Sequence, residues 1–544
     1  MLAVSPELVT RHDIEILSIA PELRAIVPAT RETLTSLAAP GERTRYYSRL
    51  RTMRMAHGLT EFLRDHLARI GPRALVVENV AHADATDAEL LSVLLRRMDP
   101  GLLLMVVCTA AADLGDGPLS SALDKYAVRQ EIASPAVEPA PAEGTRGLAE
   151  AYADGDCTAD DPWMRAAYDA LDPSERSRLH DQRAAELESR AEFSLRLGAI
   201  PFHREHGTDP AGAGAGALQF AVDHCSLMGF YHATIDLAGR ARAIIGWDQP
   251  ARRYFFVTAR MTTAYAMLEQ SLEAEKLYDE ARLCTTMPVV HMGAAYGTAM
   301  LYTRHHDPEL LDHVRARALV NQAIAFAAAL DDPKERLFQT AFMRNGLALV
   351  EVHQGNLREA LRLVSEGIAA LDRELGPDEH RLHRSVLHYN RGQVYAGLDL
   401  LEEAVAEYTV VIALDPNYPE YYFDRGNVLR RLGREDEALA DYETAMRLSP
   451  PFHEAYYNRG DIRADRGDIE GALADFDYVL ELDPAFVDAY VNRAGIRLAT
   501  GDLEQAHKDA VSGLGLEPDN PYLHAVIGQI HAAPLGLVAT GARA

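Results

Sequence analysis

Four prolines, Pro416, Pro450, Pro484 and Pro518, stand 34 residues apart. Proline has no N–H to give and its ring clashes with the preceding turn, so each marks the end of a helix. A fixed period of this length belongs to stacked helical repeats rather than to one closed core. In the same register Gly392, Gly426, Gly460 and Ala494 are equivalent, as are Ala404, Ala438, Ala472 and Ala506. Small residues in both columns let the two helices of a hairpin approach closely. Tyr408, Tyr442 and Phe476 fill the space beside them, with Ala510 in the fourth copy, and Gly433, Gly467 and Gly501 make the turn, with Asp399 departing in the first. The pattern predicts helical hairpins from 383 to 531, closed by a last helix over 521–532 that covers the apolar end of the stack.

Weaker copies run upstream. Gly355 is followed by Ala360 at the repeat's spacing, and Ala274, Tyr278 and Ala281 have the spacing of a second helix. The interval 161–382 therefore reads as degenerate helical hairpins, with GTDPAGAGAGA at 207–217 as a long loop between two of them. A Pro/Ala-rich stretch, ASPAVEPAPAEG at 133–144, opens a linker taken to run to 160. Ahead of it, GPRALVVENV, HADATDAELLSVLLRRM and GLLLMVVCTA alternate as strand, helix and strand, an α/β unit with buried parallel strands. The division is thus 1–132, 133–160, 161–382 and 383–544, and the fold class is mainly α: a solenoid of helical hairpins, a right-handed superhelix, preceded by a small α/β domain.

A formal charge of −27 opposes general binding to a phosphate backbone. Segment 11–73 holds eleven Arg against seven Asp or Glu, with RTRYYSRLRTMR at 43–54 as its densest part. Two readings of this run stand, a local phosphate or nucleic-acid patch and, favoured over it, a solvated helix face with core residues interleaved. No run of about 18 apolar residues occurs, and the first twenty residues lack the basic-then-apolar order of a signal peptide. A cytoplasmic protein with no membrane contact is expected. Cys108, Cys157, Cys225 and Cys284 are scattered with no CxxC pairing, which predicts reduced, mostly buried thiols. Two histidine pairs, His203 with His206 and His380 with His383, have a spacing that presents two ligands on one helical face. Neither has an acid or cysteine at a recognised offset, HExxH and GxSxG are absent, and no metal, cofactor or catalytic residue is assigned.

The repeat columns from 383 onwards resemble the tetratricopeptide (TPR) family. In that family the first helix of each hairpin lines a concave wall, and an asparagine at its sixth position hydrogen-bonds an extended peptide backbone. Asn390, Asp424, Asn458 and Asn492 hold that position here, and Val386, Glu420, Glu454 and Asp488 hold the second. The resemblance implies a groove with one acidic side and no cationic clamp for a C-terminal carboxylate. Its partner would be an extended protein or peptide segment, neutral or basic. Arg391, Arg425, Arg459 and Arg493 each precede an acid by sixteen residues, namely Glu407, Asp441, Asp475 and Asp509. These are read as ion pairs within each repeat, of little net worth if exposed.

Residues 58–110 resemble the central part of the signal-transduction (STAND) NTPases of large LuxR-type regulators. In those proteins paired acids close the first strand; Glu78 and Asn79 stand at the matching positions, with His82, Ala83 and Asp84 following. The phosphate loop GxxxxGK[ST] is missing, since the chain contains no Gly-Lys dipeptide. The resemblance therefore implies a degenerate domain without nucleotide hydrolysis. The leading expectation is a non-catalytic cytoplasmic adaptor or scaffold that binds a protein in the concave groove. Two others stand beside it: a signal-sensing regulator, for which the ending IHAAPLGLVATGARA leaves no room for a helix-turn-helix, and a pathway enzyme or accessory factor with a pocket between solenoid and N-terminal domain.

Overall fold

The computed structural model of the chain describes residues 5–38, 45–109, 114–132, 145–159 and 161–532. The Pro/Ala-rich stretch 133–144 lies outside the described residues. The chain forms two compact units, Met1–Leu400 and Leu401–Ala544. It is mainly helical, with two strands among the described residues.

In the first unit, β1 (Arg73–Val77) and β2 (Leu103–Val107) pair in parallel, Arg73 opposite Leu103 and Val77 opposite Val107. The crossover is the helix Ala85–Arg97, whose first amides, those of Thr86 and Asp87, donate to the Asp84 carboxylate. One sheet face packs Leu75, Val77, Met105 and Val107 against the helices, around buried Leu67, Leu91, Leu94 and Leu119. The other face is open: Val76 is 56% exposed and Leu104 58%. The expectation of buried strands therefore holds for one face only, because all the described helices that pack on this small sheet lie on the same side.

Beyond residue 161 the described chain of this unit is helical throughout, in consecutive packed pairs such as Ala215–Met228 with Tyr231–Ile244 and Pro333–His353 with Leu357–Glu374. Ala215, Ala221, Ala238 and Ala241 are wholly or almost wholly buried, so these helices meet close to their backbones. The GTDPAGAGAGA stretch is not a loop. Pro210–Gly214 is a turn of π-helix capped by Asp209, which accepts from the amides of Gly212 and Ala213, and it runs directly into the helix Ala215–Met228. Glycine is needed there because a Cβ on Gly214 would lie 2.9 Å from the Arg204 carbonyl oxygen.

The second unit is a run of helical hairpins ending in Pro521–Ala532. Gly433, Gly467 and Gly501 make the intra-hairpin turns at φ 74°, 79° and 85°, the left-handed region open to glycine. Asp399, at the equivalent position in the first unit, adopts φ 62° with a side chain. The small column works as its spacing implies. A Cβ on Gly426 would sit 2.8 Å from the Tyr442 ring and one on Gly460 would sit 3.1 Å from that of Phe476, whereas the fourth copy pairs Ala494 with Ala510 and needs no glycine. The closing helix buries Leu523 and Val526.

Candidate protein-interaction face of the repeats

The first helices of successive hairpins, Pro419–Arg431, His453–Asp465 and Val487–Ala499, stand side by side and bring the polar column together. Asn458 Nδ2 donates to Asn427 Oδ1 at 2.8 Å, and the Tyr442 hydroxyl donates to the same oxygen at 2.8 Å. One repeat on, Asn492 Nδ2 reaches Asp461 Oδ1 and the Tyr457 hydroxyl, each at 3.2 Å, and Arg430 pairs with Asp461. The asparagines thus tie neighbouring repeats to each other through their NH2 groups. An amide has two acceptor lone pairs besides its two donors, and these bonds use the donor end of each. Burial pushes both the Tyr442 and the Tyr457 hydroxyls up to about 12, keeping them neutral.

Asn390 lies in the first unit, where its Nδ2 donates to Asn345 Oδ1 at 2.9 Å. Asp424, Glu420 and Glu454 are part-buried on the second unit's first helices, while Asp488 is exposed. Asn427, Tyr457 and Asp461 complete the column and were not singled out from the sequence. The signal was there, because Asn427 and Asp461 occupy one repeat position, three residues after Asp424 and Asn458.

The three sixteen-residue pairs that lie within the second unit form as two-pronged contacts. Arg425 meets Asp441 through Nε and a terminal nitrogen, both at 2.8 Å; Arg459 meets Asp475 at 3.0 and 2.6 Å; Arg493 meets Asp509 in the same way. The acids are not surface groups: Asp441, Asp475 and Asp509 are 6%, 3% and 3% exposed. Asp475 and Asp509 also take Arg463 and Arg497, at 2.9 and 2.7 Å. Most of the unit's guanidinium charge is therefore spent inside the repeats.

In the first unit, Glu78 is exposed at the end of β1, and Asn79, at φ 54°, donates to the Thr158 carbonyl oxygen at 3.2 Å. Much of the basic segment 11–73 is engaged: Arg31 with Asp13, Arg45 with Thr35, Arg51 with the Met228 carbonyl, and Arg69 with Glu7. Of the cysteines only Cys225 is buried, while Cys157 is half-buried and Cys108 and Cys284 are exposed; all four are free. The expectation of mostly buried thiols fails because Cys108 follows the open face of β2 and Cys284 ends the helix Ser271–Cys284. His380 stacks on Phe338 with ring centres 3.9 Å apart, and His383, fully enclosed against Phe338 and Phe342, is pushed down to about 3 by burial. A half-open cavity of about 830 Å³ is lined by Glu188, Glu192, Phe193, Arg196, Arg204 and Phe220, among others. Among the described residues no group of three or more His, Cys, Asp or Glu is placed to hold a metal ion, and no helix is long and apolar enough to cross a membrane.

Family models of the tetratricopeptide repeat match residues 401–433, 423–485 and 463–530. Residues 401–530 are tetratricopeptide repeats. Solved structures with similarity to the chain include MamA (19% identical over 32% of this chain and 95% of that one, TM-score 0.28). YrrB, described as a TPR protein with an unusual peptide-binding site, is 20% identical over 35% of this chain and 92% of that one, with a TM-score of 0.29. A tetratricopeptide repeat protein from Parabacteroides merdae is 19% identical over 44% of this chain and 86% of that one, with a TM-score of 0.33. No curated protein matches the chain. Tetratricopeptide repeats are protein-interaction repeats, and the second unit is an interaction scaffold of that kind.

Proposed function

We propose that the protein is a non-catalytic cytoplasmic adaptor whose repeats grip an extended, neutral or basic segment of a protein partner. The proposed contacts in the second unit are Asp424, Asn458 and Asn492 with Glu420, Glu454 and Asp488; Asn390 holds the same repeat position in the first unit. The observation that carries the reading is the charge balance of residues 401–530, which contain 26 acidic and 11 basic residues. Arg425, Arg430, Arg434, Arg459, Arg463, Arg466, Arg493 and Arg497 already sit on carboxylates of the same unit. The excess is therefore carboxylate, and it favours a cationic partner through steering and selectivity.

The test is capture of partners from native cytoplasm by the full chain, followed by titration of the captured segment at 50 and 300 mM salt. Reversal of Glu420, Glu454 and Asp488 to Lys is expected to weaken binding, mainly through slower association. Binding that is indifferent to both salt and reversal overturns the reading. For residues 58–110 we propose a vestigial signal-transduction NTPase domain without nucleotide turnover. Its support is the parallel strand–helix–strand order with Glu78 closing β1 and the missing Gly-Lys pair. Micromolar ATP affinity by calorimetry overturns that reading.

A further inference from the structure

Four side chains of the first unit, carried by three helices and the turn after Thr145–Asp154, make one unbroken hydrogen-bond chain. The Tyr168 hydroxyl lies 2.6 Å from His180 Nε2, His180 Nδ1 lies 2.8 Å from His203 Nδ1, and His203 Nε2 lies 3.2 Å from Asp156 Oδ1. Asp156 also accepts from Arg183 Nε at 2.8 Å, so it faces His203 as an acceptor. Donors and acceptors then fit in one way when both rings are neutral. His203 carries its proton on Nε2, facing the carboxylate, and offers Nδ1 as acceptor. His180 donates from Nδ1 and accepts the tyrosine proton at Nε2. The two rings are 2% and 0% exposed, so water does not replace a broken link.

One extra proton fits. His203 then carries protons on both nitrogens, the His180 proton moves to Nε2, and the Tyr168 oxygen turns to accept it. A second extra proton does not fit, because two N–H groups would face each other across 2.8 Å in a buried site. The closed site therefore binds at most one extra proton where the opened chain binds two.

We infer that His180 and His203 form an acid-released latch, which holds Pro173–Ser189, Ala199–His206 and the Asp156–Cys157 turn together at neutral pH and opens when both rings charge. Burial, then the neighbouring His203, pushes His180 down to about 4, and burial lowers His203 against the pull of Asp156. The groups facing the pair are mixed. Asp156 and Asp181 favour a charge there, Arg176, Arg183 and the His206 ring oppose it, and Tyr152 and Cys157 adjoin Tyr168 without charge. The turn has a reason to move when released: Asp156 and Cys157 are consecutive side-chain-bearing residues at φ 56° and 60°, a conformation kept only where surroundings impose it.

Amide hydrogen exchange on the full chain between pH 7.5 and 4.5, corrected for intrinsic rates, tests the latch. With two histidines near 6.5 in the open form and at most one extra proton in the closed one, opening over 173–206 is expected to rise by more than about 30-fold and up to about 10³-fold from pH 7.5 to 5, with a slope between one and two protons. A single buried histidine gives about 30-fold and a slope of one. His203→Asn is expected to reduce the rise to about 30-fold. Tyr168→Phe, which removes the donor to His180 Nε2, is expected to move the onset to higher pH. Residues 357–374, in the same unit and without histidine, are expected to open less than 173–206. A wild-type slope of one or less, parallel opening of 357–374, or a His203→Asn profile like wild type overturns the inference. If His203→Asn fails to fold, an unchanged onset in Tyr168→Phe overturns it.

Discussion

Asp475→Ala separates a buried ion-pair network from a decorative one. The carboxylate is 3% exposed and accepts from Arg459 twice and from Arg463 once. Exposed pairs are worth about 0–1 kcal/mol, whereas stripping one partner from a buried pair costs about 3–5 kcal/mol, because the remaining charge is left desolvated. The two guanidinium side chains are 17% and 28% exposed, and Glu443 and Asp468 lie within 4 Å of them, so partial resolvation lowers the cost. About 2–4 kcal/mol is expected. Asp509→Ala is expected to cost less, since Arg493 and Arg497 keep Asp477, and Asp441→Ala least, since it strands only Arg425. Hydrogen exchange over 453–482 in rising urea reads the local stability of the repeat, where a melting curve of the whole chain would mix the two units. An Asp475→Ala cost under about 1 kcal/mol, or an Asp441→Ala cost as large, refutes the argument that burial gives these pairs their weight.

Gly426→Ala is expected to cost about 1–3 kcal/mol by pressing a methyl into the Tyr442 ring, and in combination with Tyr442→Ala the two costs should fall well short of their sum in denaturant titrations. Asn458→Ala with Asn492→Ala is expected to lower repeat stability by about 1–3 kcal/mol besides weakening partner binding, because both NH2 groups hold the preceding repeat; unchanged stability with lost binding would place the asparagines wholly at the partner. Acid stability follows from the buried and half-buried histidines of the first unit, His180, His224 and His305 at about 4, His383 at about 3, and His66, His203 and His306 also lowered, each chiefly by burial. Their folded values lie below the unfolded one, so the unfolded chain binds more protons: stability is full above about 6.5, falls as pH drops toward about 4, and levels below, by about 3 kcal/mol for a group such as His180. Urea midpoints unchanged between pH 7.5 and 4.5 contradict this.

The repeat was legible because its determinants are local and recur. Pro416 to Pro518 and the turn glycines set element ends, and the Gly426–Tyr442 and Gly460–Phe476 exchanges report a close helix crossing that the fourth copy solves with Ala494 and Ala510. Asp399 was visible as a departure, and it takes up the left-handed turn all the same. The GAGAGA stretch misled for the opposite reason. Four glycines in eleven residues signal chain freedom, yet Gly214 is small so that the Arg204–Glu205 backbone can lie against it, a tertiary demand with no local trace. Strand burial was equally out of reach, since alternating and continuous apolar runs reveal period but not how many layers cover a two-stranded sheet.

The polar column shows the same limit at finer scale. Sequence placed Asn390, Asn458 and Asn492 at one repeat position and assigned the whole amide to a partner. Hydrogen-bonding capacity, however, is shared with whatever the neighbouring helix presents: Asn427 and Asp461 stand opposite and take the NH2 groups. On the proposed reading, a partner in the groove would meet carbonyl oxygens and carboxylates, an acceptor-rich wall, instead of amides able to bond in both directions. Such a wall favours backbone N–H groups and cationic side chains over a C-terminal carboxylate. The acidic excess of residues 401–530 supports the proposed cationic partner by a separate route, through long-range charge rather than contact chemistry. Salt distinguishes the two routes, because screening removes the long-range part of the selectivity and leaves the hydrogen-bonded part in place.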